Sequence, residues 1–259
     1  MSAVQLSREG AVWVLTMTQG DNRFNDASLA EWHAALDTVE TTSGPAALVI
    51  TSADAKFFSN GIDLEGIFAS HGPEYLINTF VPKLDAFLLR MVRFPMPVVM
   101  AINGHAYAGG ALLAATGDFR VMRADRGRFC FPEVDIKLPF TPIMDQIVKL
   151  LPNAQSAWTM AVTAAAWGGE ECLQRGVVDA AVGESEVLPS ALAMAQQRAQ
   201  LRMVAMFGFE GGRVPFDGQQ PRSLMTQLRL IGLAQLRARH PHLRRRLVLL
   251  LLLRQPEEV

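Results

Sequence analysis

The chain has 259 residues, half of them apolar, and a formal net charge of −1. That length and apolar content suit one large domain, or one domain with an appendage, around a sizeable core. The balanced charge gives no basic face for nucleic acid, and no such partner is expected. Cys130 and Cys172 lie far apart without C-x-x-C spacing, so two buried free thiols are expected rather than a zinc knuckle or a disulfide framework. His240-Pro241-His242 is too isolated for a metal site, and no metal is expected. The opening MSAVQLSREGAVWVLTMT lacks a basic stretch followed by an apolar one, and the final residues, PEEV, are not a peroxisomal tripeptide. The longest clean apolar run, Leu247 to Leu253, is far short of the ~20 residues of a membrane span, so the expected location is cytoplasmic.

Residues 11–18 (AVWVLTMT) are β-branched and aromatic, which predicts a strand. Residues 26–40 place Leu29, Trp32, Leu36 and Val39 at spacings of three and four, which predicts a helix capped by Asp26 or Ser28. Residues 46–51 (AALVIT) read as a strand buried on both faces, residues 63–68 as the start of a helix, and residues 98–102 (VVMAI) as a third buried strand. A small, apolar helix over 109–116 and a strand over 119–124 follow, then helices over 144–151 and 154–163 and a short strand over 177–182. This alternation predicts an α/β fold. From Val187 the pattern turns helical, with long helical stretches over 188–207 and 223–253 joined by a Gly/Pro-rich link. The expected division is an α/β core over 1–190 and a helical region over 191–259. In the latter, Arg244-Arg245-Arg246 precedes LVLLLLL. Packing against the core or a sister subunit is favoured over a membrane-surface helix, because a greasy face left in water aggregates.

Two segments carry chemistry. The first is Phe57-Phe58-Ser59-Asn60-Gly61-Ile62-Asp63-Leu64; the second runs over 97–140 and holds Asn103-Gly104-His105-Ala106-Tyr107-Ala108-Gly109-Gly110 and Phe131-Pro132-Glu133. In both, a short apolar strand leads through glycine into a helix. Glycine permits unusual backbone and close approach, and the first turn of a helix exposes unpaired N–H groups. Two such amides converging on one oxygen would hold developing negative charge. Glu133, between Pro132 and Val134, would have a raised pKa in apolar surroundings and could act as a base. A strand–turn–helix with glycine, taken alone, more often serves folding only. The order and separation of the three features carry the argument.

The same residues carry a family resemblance. SNGIDL resembles the crotonase S/A-x-G-x-D-L/I motif. PMPVVMAINGHAYAGGALLAATGDFRV resembles K-P-x-I-A-A-V-N-G-x-A-x-G-G-G-x-x-L-A-x-x-C-D, and FCFPEVDIKL resembles F-x-x-P-E-x-x-x-G. The resemblance covers residues 10–185 and implies a crotonase spiral of ββα units with a helical C-terminal region. It implies an acyl-CoA substrate whose thioester oxygen accepts from the backbone N–H groups of Ile62 and Gly109, with no further cofactor because coenzyme A arrives in the substrate. Ser59, Gly61 and Asp63 become CoA-side positions, although Asp63 is better read as a helix cap. Leu112 and Phe140 become acyl-side positions. A homotrimer or hexamer is implied as well.

Departures from the pattern select the reaction. Enoyl-CoA hydratases resemble one another in carrying two glutamates, one shortly after the triple glycine and one in the P-E segment. Here Leu112 replaces the first, and Glu133 is the second. One carboxylate suffices to move a double bond from position 3 to position 2, and MRADRGRFCFPEVDI resembles plant-type peroxisomal Δ3,Δ2-enoyl-CoA isomerases. Ala108 replaces the first glycine of the triplet, the glycines after P-E are absent, and Glu65 stands where a base often meets CoA phosphate. That phosphate partner is then Lys56 or an arginine of the C-terminal region. Asp135, if in a strand, would share Glu133's side, although a solvated role is favoured. The alternatives are a hydratase, a thioester hydrolase, or a catalytically silent acyl-CoA-binding member.

Overall fold

In a computed structural model, residues 2–199 are described. The chain opens with β1 (Val4–Glu9), β2 (Val12–Met17) and α1 (Asp26–Glu40). Three ββα units follow. The first is β3 (Ala47–Ser52), β4 (Phe57–Ser59) and α2 (Leu64–His71). Short α3 (Pro73–Tyr75), a π-helical turn over Leu76–Phe80 and α4 (Val81–Val92) link it to the second unit. That unit is β5 (Val98–Ile102), β6 (His105–Tyr107) and α5 (Gly109–Thr116). The third is β7 (Phe119–Arg123), β8 (Phe129–Cys130) and α6 (Pro142–Val148). The chain continues through α7 (Ala154–Thr163), α8 (Gly169–Gln174), β9 (Ala180–Val182) and α9 (Val187–Ala199).

Each unit sends its first strand into a six-stranded sheet ordered β1-β2-β3-β5-β7-β9 and its second into a three-stranded sheet ordered β4-β6-β8. Every unit therefore steps one strand further along both sheets, which is a spiral. All pairings are parallel except β1 with β2. The central strands β3 and β5 are buried along their whole length because helices cover both faces. Along β3 and β5, Leu48, Ile50, Val98, Met100 and Ile102 face the main core, while Ala47, Val49, Val99 and Ala101 face the other way. There they meet Val187, Ala191, Ala195 and Ala199 of α9, spaced by four so that one helical stripe lies on the sheet. Residue 190 falls inside α9. The predicted helix over 223–253, the link before it and the Arg/Leu-rich stretch lie outside the described residues.

The structure corrects several local expectations. Asn25, not Asp26 or Ser28, caps α1: its side chain accepts from Ser28 N–H, and the Ser28 hydroxyl accepts in return from Asn25 N–H. The pattern reading omitted β1 and all three strands of the small sheet, which are two or three residues long except β1 and show no period. Strand 177–182 shortens to β9. Residues 133–137 form turns in which Asp135 N–H and Ile136 N–H both donate to Pro132 O. Strand alternation therefore does not apply to Asp135, which is exposed. Among the described residues no helix is long and apolar enough to cross a membrane. Both cysteines are buried and free.

Candidate active site

The small sheet positions three groups. Ile62 lies three residues past the end of β4, Gly109 two past β6 and Glu133 three past β8. All three therefore sit at the carboxyl ends of adjacent parallel strands, the place where open α/β sheets bind ligands.

Gly61 and Gly109 are pressed together. A Cβ on Gly61 would stand 2.7 Å from Gly109 N, and one on Gly109 would stand 3.2 Å from Gly61 Cα. Gly61 also has φ +81°, a conformation that L side chains rarely adopt. The backbone on either side is held firmly. Gly61 N–H donates to Ser59 Oγ at 3.2 Å, and Ser59 Oγ donates to Asn22 O at 2.7 Å. Asn22 Nδ2 donates to Ser52 Oγ and to Phe58 O. Phe24 N–H donates to Gly61 O at 2.7 Å, and Asp63 N–H donates to Phe24 O at 2.9 Å. Residues 22–24 thus brace the turn from outside. Neither Ile62 N–H nor Gly109 N–H donates to another described group. Gly109 opens α5, so its N–H has no intrahelical acceptor.

Each expected site residue has a definite place. Ser59 is fully buried with its hydroxyl committed to Asn22 and Gly61, so it braces the turn and offers nothing to a ligand. Asp63 caps α2 by accepting from Gly66 N–H at 3.1 Å. Asp63 also borders an open polar depression with Asp21, Arg23 and Glu65, in which Arg23 is paired to Asp21 at 2.6 Å. Leu112 is packed in the apolar core one turn beyond Gly109. Phe140 is half-buried, its ring edge-on to Phe131 at 6.2 Å. The roles of Asn22 and Phe24 escaped sequence reading, since nothing local signals a hydrogen bond made across 36 residues.

Glu133 is 7% exposed, and its Oε2 has no hydrogen-bond partner among the described residues. Burial pushes the carboxyl up to about 7, against a small opposing effect from its own backbone N–H. An unpartnered buried carboxylate of this kind costs stability and suits a general base near neutral pH.

Two departures from the resembled motifs keep glycine-like backbone. Ala108 has φ +48° and ψ −121°, near the first central position of a type II′ turn, where glycine dominates. Lys137, at the motif's glycine after P-E, has φ +57°. Ala108→Gly is therefore expected to raise unfolding free energy by about 1 kcal/mol, the relieved strain exceeding the added entropy of the unfolded chain. Urea denaturation checks this, and a loss of stability would contradict it.

Fold and site together define an α/β protein with paired backbone donors and one buried carboxylate at the ends of neighbouring parallel strands. Residues 7–208 match the enoyl-CoA hydratase/isomerase family, and the chain belongs to that family, within the crotonase superfamily. It is 31% identical over 186 residues to the peroxisomal enoyl-CoA delta isomerase 2 of Arabidopsis thaliana, covering 70% of this chain and 78% of the relative. It is 35% identical over 150 residues to carnitinyl-CoA dehydratase of Escherichia coli, covering 58% and 56%. The structure matches that of an enoyl-CoA isomerase from Mycobacterium tuberculosis with a TM-score of 0.70 at 26% identity, over 92% of this chain and 95% of the other. The α/β crotonase spiral expected from the motifs is the observed fold.

Proposed function

We propose that the protein moves the double bond of a 3-enoyl-CoA to position 2, with Glu133 as its single acid/base. One observation carries this reading: among the described residues Glu133 is the one buried carboxylate, with Oε2 unpartnered and its pKa pushed up to about 7 by burial, while Leu112, where the motif resemblance puts the hydratases' first glutamate, is apolar. Ionised Glu133 takes a proton from C2. The electron pair spreads onto the thioester oxygen and, through the C3–C4 double bond, to C4. The oxyanion accepts from Ile62 N–H and Gly109 N–H, donors that act on charge formed only during reaction. The Glu133 carboxylic acid then delivers the proton to C4, leaving the double bond between C2 and C3 and the base ionised again. Leu112 helps by keeping out water that would compete for the intermediate.

The Arabidopsis delta isomerases support this reading, as similar proteins. The E. coli dehydratase favours a second, addition or elimination of water at an enoyl-CoA. That chemistry needs an acid for the departing hydroxyl, and exposed Asp135 is badly placed to be one. The test is an assay of conjugated enoyl absorbance. 3-Enoyl-CoA is expected to be converted and 2-enoyl-CoA left unhydrated; the reverse result overturns the reading.

The carboxylate works only when ionised. Because burial raises its pKa to about 7, kcat/KM for 3-enoyl-CoA is expected to rise with pH and reach half its plateau near that value. A profile already at its plateau in mildly acidic buffer would show that Glu133 is not the base.

A further inference from the structure

We propose that Asp85, on α4, is a positioning residue for Glu133: through the hydroxyl of Thr141 it holds the segment that carries the base. The segment runs from Glu133 to Thr141 and folds back on itself. Asp135 N–H and Ile136 N–H donate to Pro132 O, Lys137 N–H donates to Val134 O at 3.4 Å, and Leu138 N–H donates to Glu133 O at 3.0 Å. Phe131 and Phe140 close its two ends, their rings edge-on at 6.2 Å. Leu138 therefore lies against the backbone of the base, and a movement of residues 138–141 is passed to Glu133. These turns stay within the segment and do not fix it to the rest of the fold. Lys137 holds φ +57° there, a conformation that a lysine keeps only when its surroundings impose it.

Thr141 supplies the external hold. Its hydroxyl caps α6 by accepting from Met144 N–H at 3.1 Å, and it donates to Asp85 Oδ1 at 2.9 Å. Both bonds use one oxygen, so helix cap, segment and α4 are tied at a single point. The anchor is firm: Leu84, Phe87, Leu88 and Met91 of α4 are buried in the core. Helix α6 packs against both α4 and α5, the helix that Gly109 opens. Asp85 itself is half-buried and forms no ion pair among the described residues. Burial raises its pKa, against an opposing effect of the Thr141 bond. A carboxylate taken out of water without a cation costs stability. The bond from Thr141 is charge-assisted and offsets part of that cost, so the hydroxyl is what the carboxylate is placed to receive.

The proposal rests on Glu133 being the base, and the experiment separates the two. The Glu133 carboxyl of the full chain is titrated by isotope-edited NMR, its resonance assigned by its absence in Glu133→Gln, and turnover of 3-enoyl-CoA is measured alongside. Asp85→Ala is expected to lower the Glu133 midpoint from about 7 by roughly one unit, because water reaches a carboxyl that is no longer enclosed. It is expected to lower kcat by about 10- to 10²-fold with KM little changed, as the base is misplaced. Asp85→Asn keeps an acceptor for Thr141 and is expected to restore both the midpoint and kcat. Thr141→Ala removes the same bond from the other side and is expected to shift the midpoint likewise, and the double substitution is expected to be no worse than Thr141→Ala alone. The proposal is overturned if Asp85→Ala leaves the midpoint unmoved, if Asp85→Asn is as impaired as Asp85→Ala, or if the effects of the two alanine substitutions add. A shifted midpoint in a protein that converts no 3-enoyl-CoA upholds the positioning and sinks the isomerase reading, whereas an active wild type with an unmoved Asp85→Ala midpoint sinks the positioning alone.

Discussion

Glu133→Gln is expected to lower kcat for 3-enoyl-CoA by roughly 10³-fold or more and, at the same time, to make the protein more stable above neutral pH. The activity loss follows from the proposed mechanism, in which Glu133 both takes and returns the proton, since general acid–base catalysis contributes about 10²–10⁴. The stability gain follows from the sign of the pKa shift. Burial raises the carboxyl from its ordinary 4.5 to about 7 in the folded protein. The folded state therefore favours the protonated form. That preference contributes fully below the unfolded value and is lost as pH rises through the folded one. Ionising this buried group costs on the order of 3 kcal/mol at alkaline pH. Glutamine keeps the volume and never ionises, so urea midpoints of variant and wild type should converge in acid below the ordinary 4.5, separate as pH rises to about 7 and stay apart above it, the variant being higher. Loss of activity without that separation would place Glu133 in catalysis but not in a dry pocket. Retention of activity would sink the one-carboxylate mechanism outright.

Gly61→Ala is the second large effect. The added Cβ would stand 2.7 Å from Gly109 N, a backbone atom that cannot swing aside, and alanine would also have to hold φ +81°. Relief must come from separating the Gly61 and Gly109 backbones, which moves Ile62 N–H away from Gly109 N–H. Losing one oxyanion donor typically costs 10²–10³ in kcat. A fall of about that size is expected, together with a stability loss of about 1–3 kcal/mol from the strained backbone. The two effects are separable. If activity falls while acyl-CoA binding, followed by calorimetry, changes little, the donors act on the transition state. Equal losses in binding and turnover would mean that the turn shapes the substrate pocket instead.

Much of this site was legible in the residues. The order SNGIDL, NGHAYAGG, FPE marks three strand-to-helix turns in register, and the crotonase resemblance of those segments matches the observed spiral. Helix α1 matches its apolar spacing from Asp26 to Glu40, and β5 matches its apolar run. Those features are local: a period of 3.6 or an all-apolar run needs no partner to be recognised. Even Leu112, read as the loss of one carboxylate, needed only its position along the chain.

The remainder depended on contacts between segments remote in sequence. Strands of two or three residues such as β8 and β6 have no period, and only pairing with a neighbour makes them strands. Ser59 read as a ligand-side residue because its hydroxyl is unassigned in one dimension; in space Asn22, 37 residues away, takes it. Asp135 would share Glu133's side only in a strand; turns onto Pro132 O place it in solvent, the role favoured for it. Ala108 and Lys137 looked like lost glycines, yet both keep a positive φ, because the surrounding packing dictates the backbone and the side chain must tolerate it. Sequence by itself determined which groups stand at the ends of which turns. Only the tertiary structure decided that Glu133 is buried with an unpartnered oxygen, since desolvation depends on everything folded around a group and not on its neighbours along the chain.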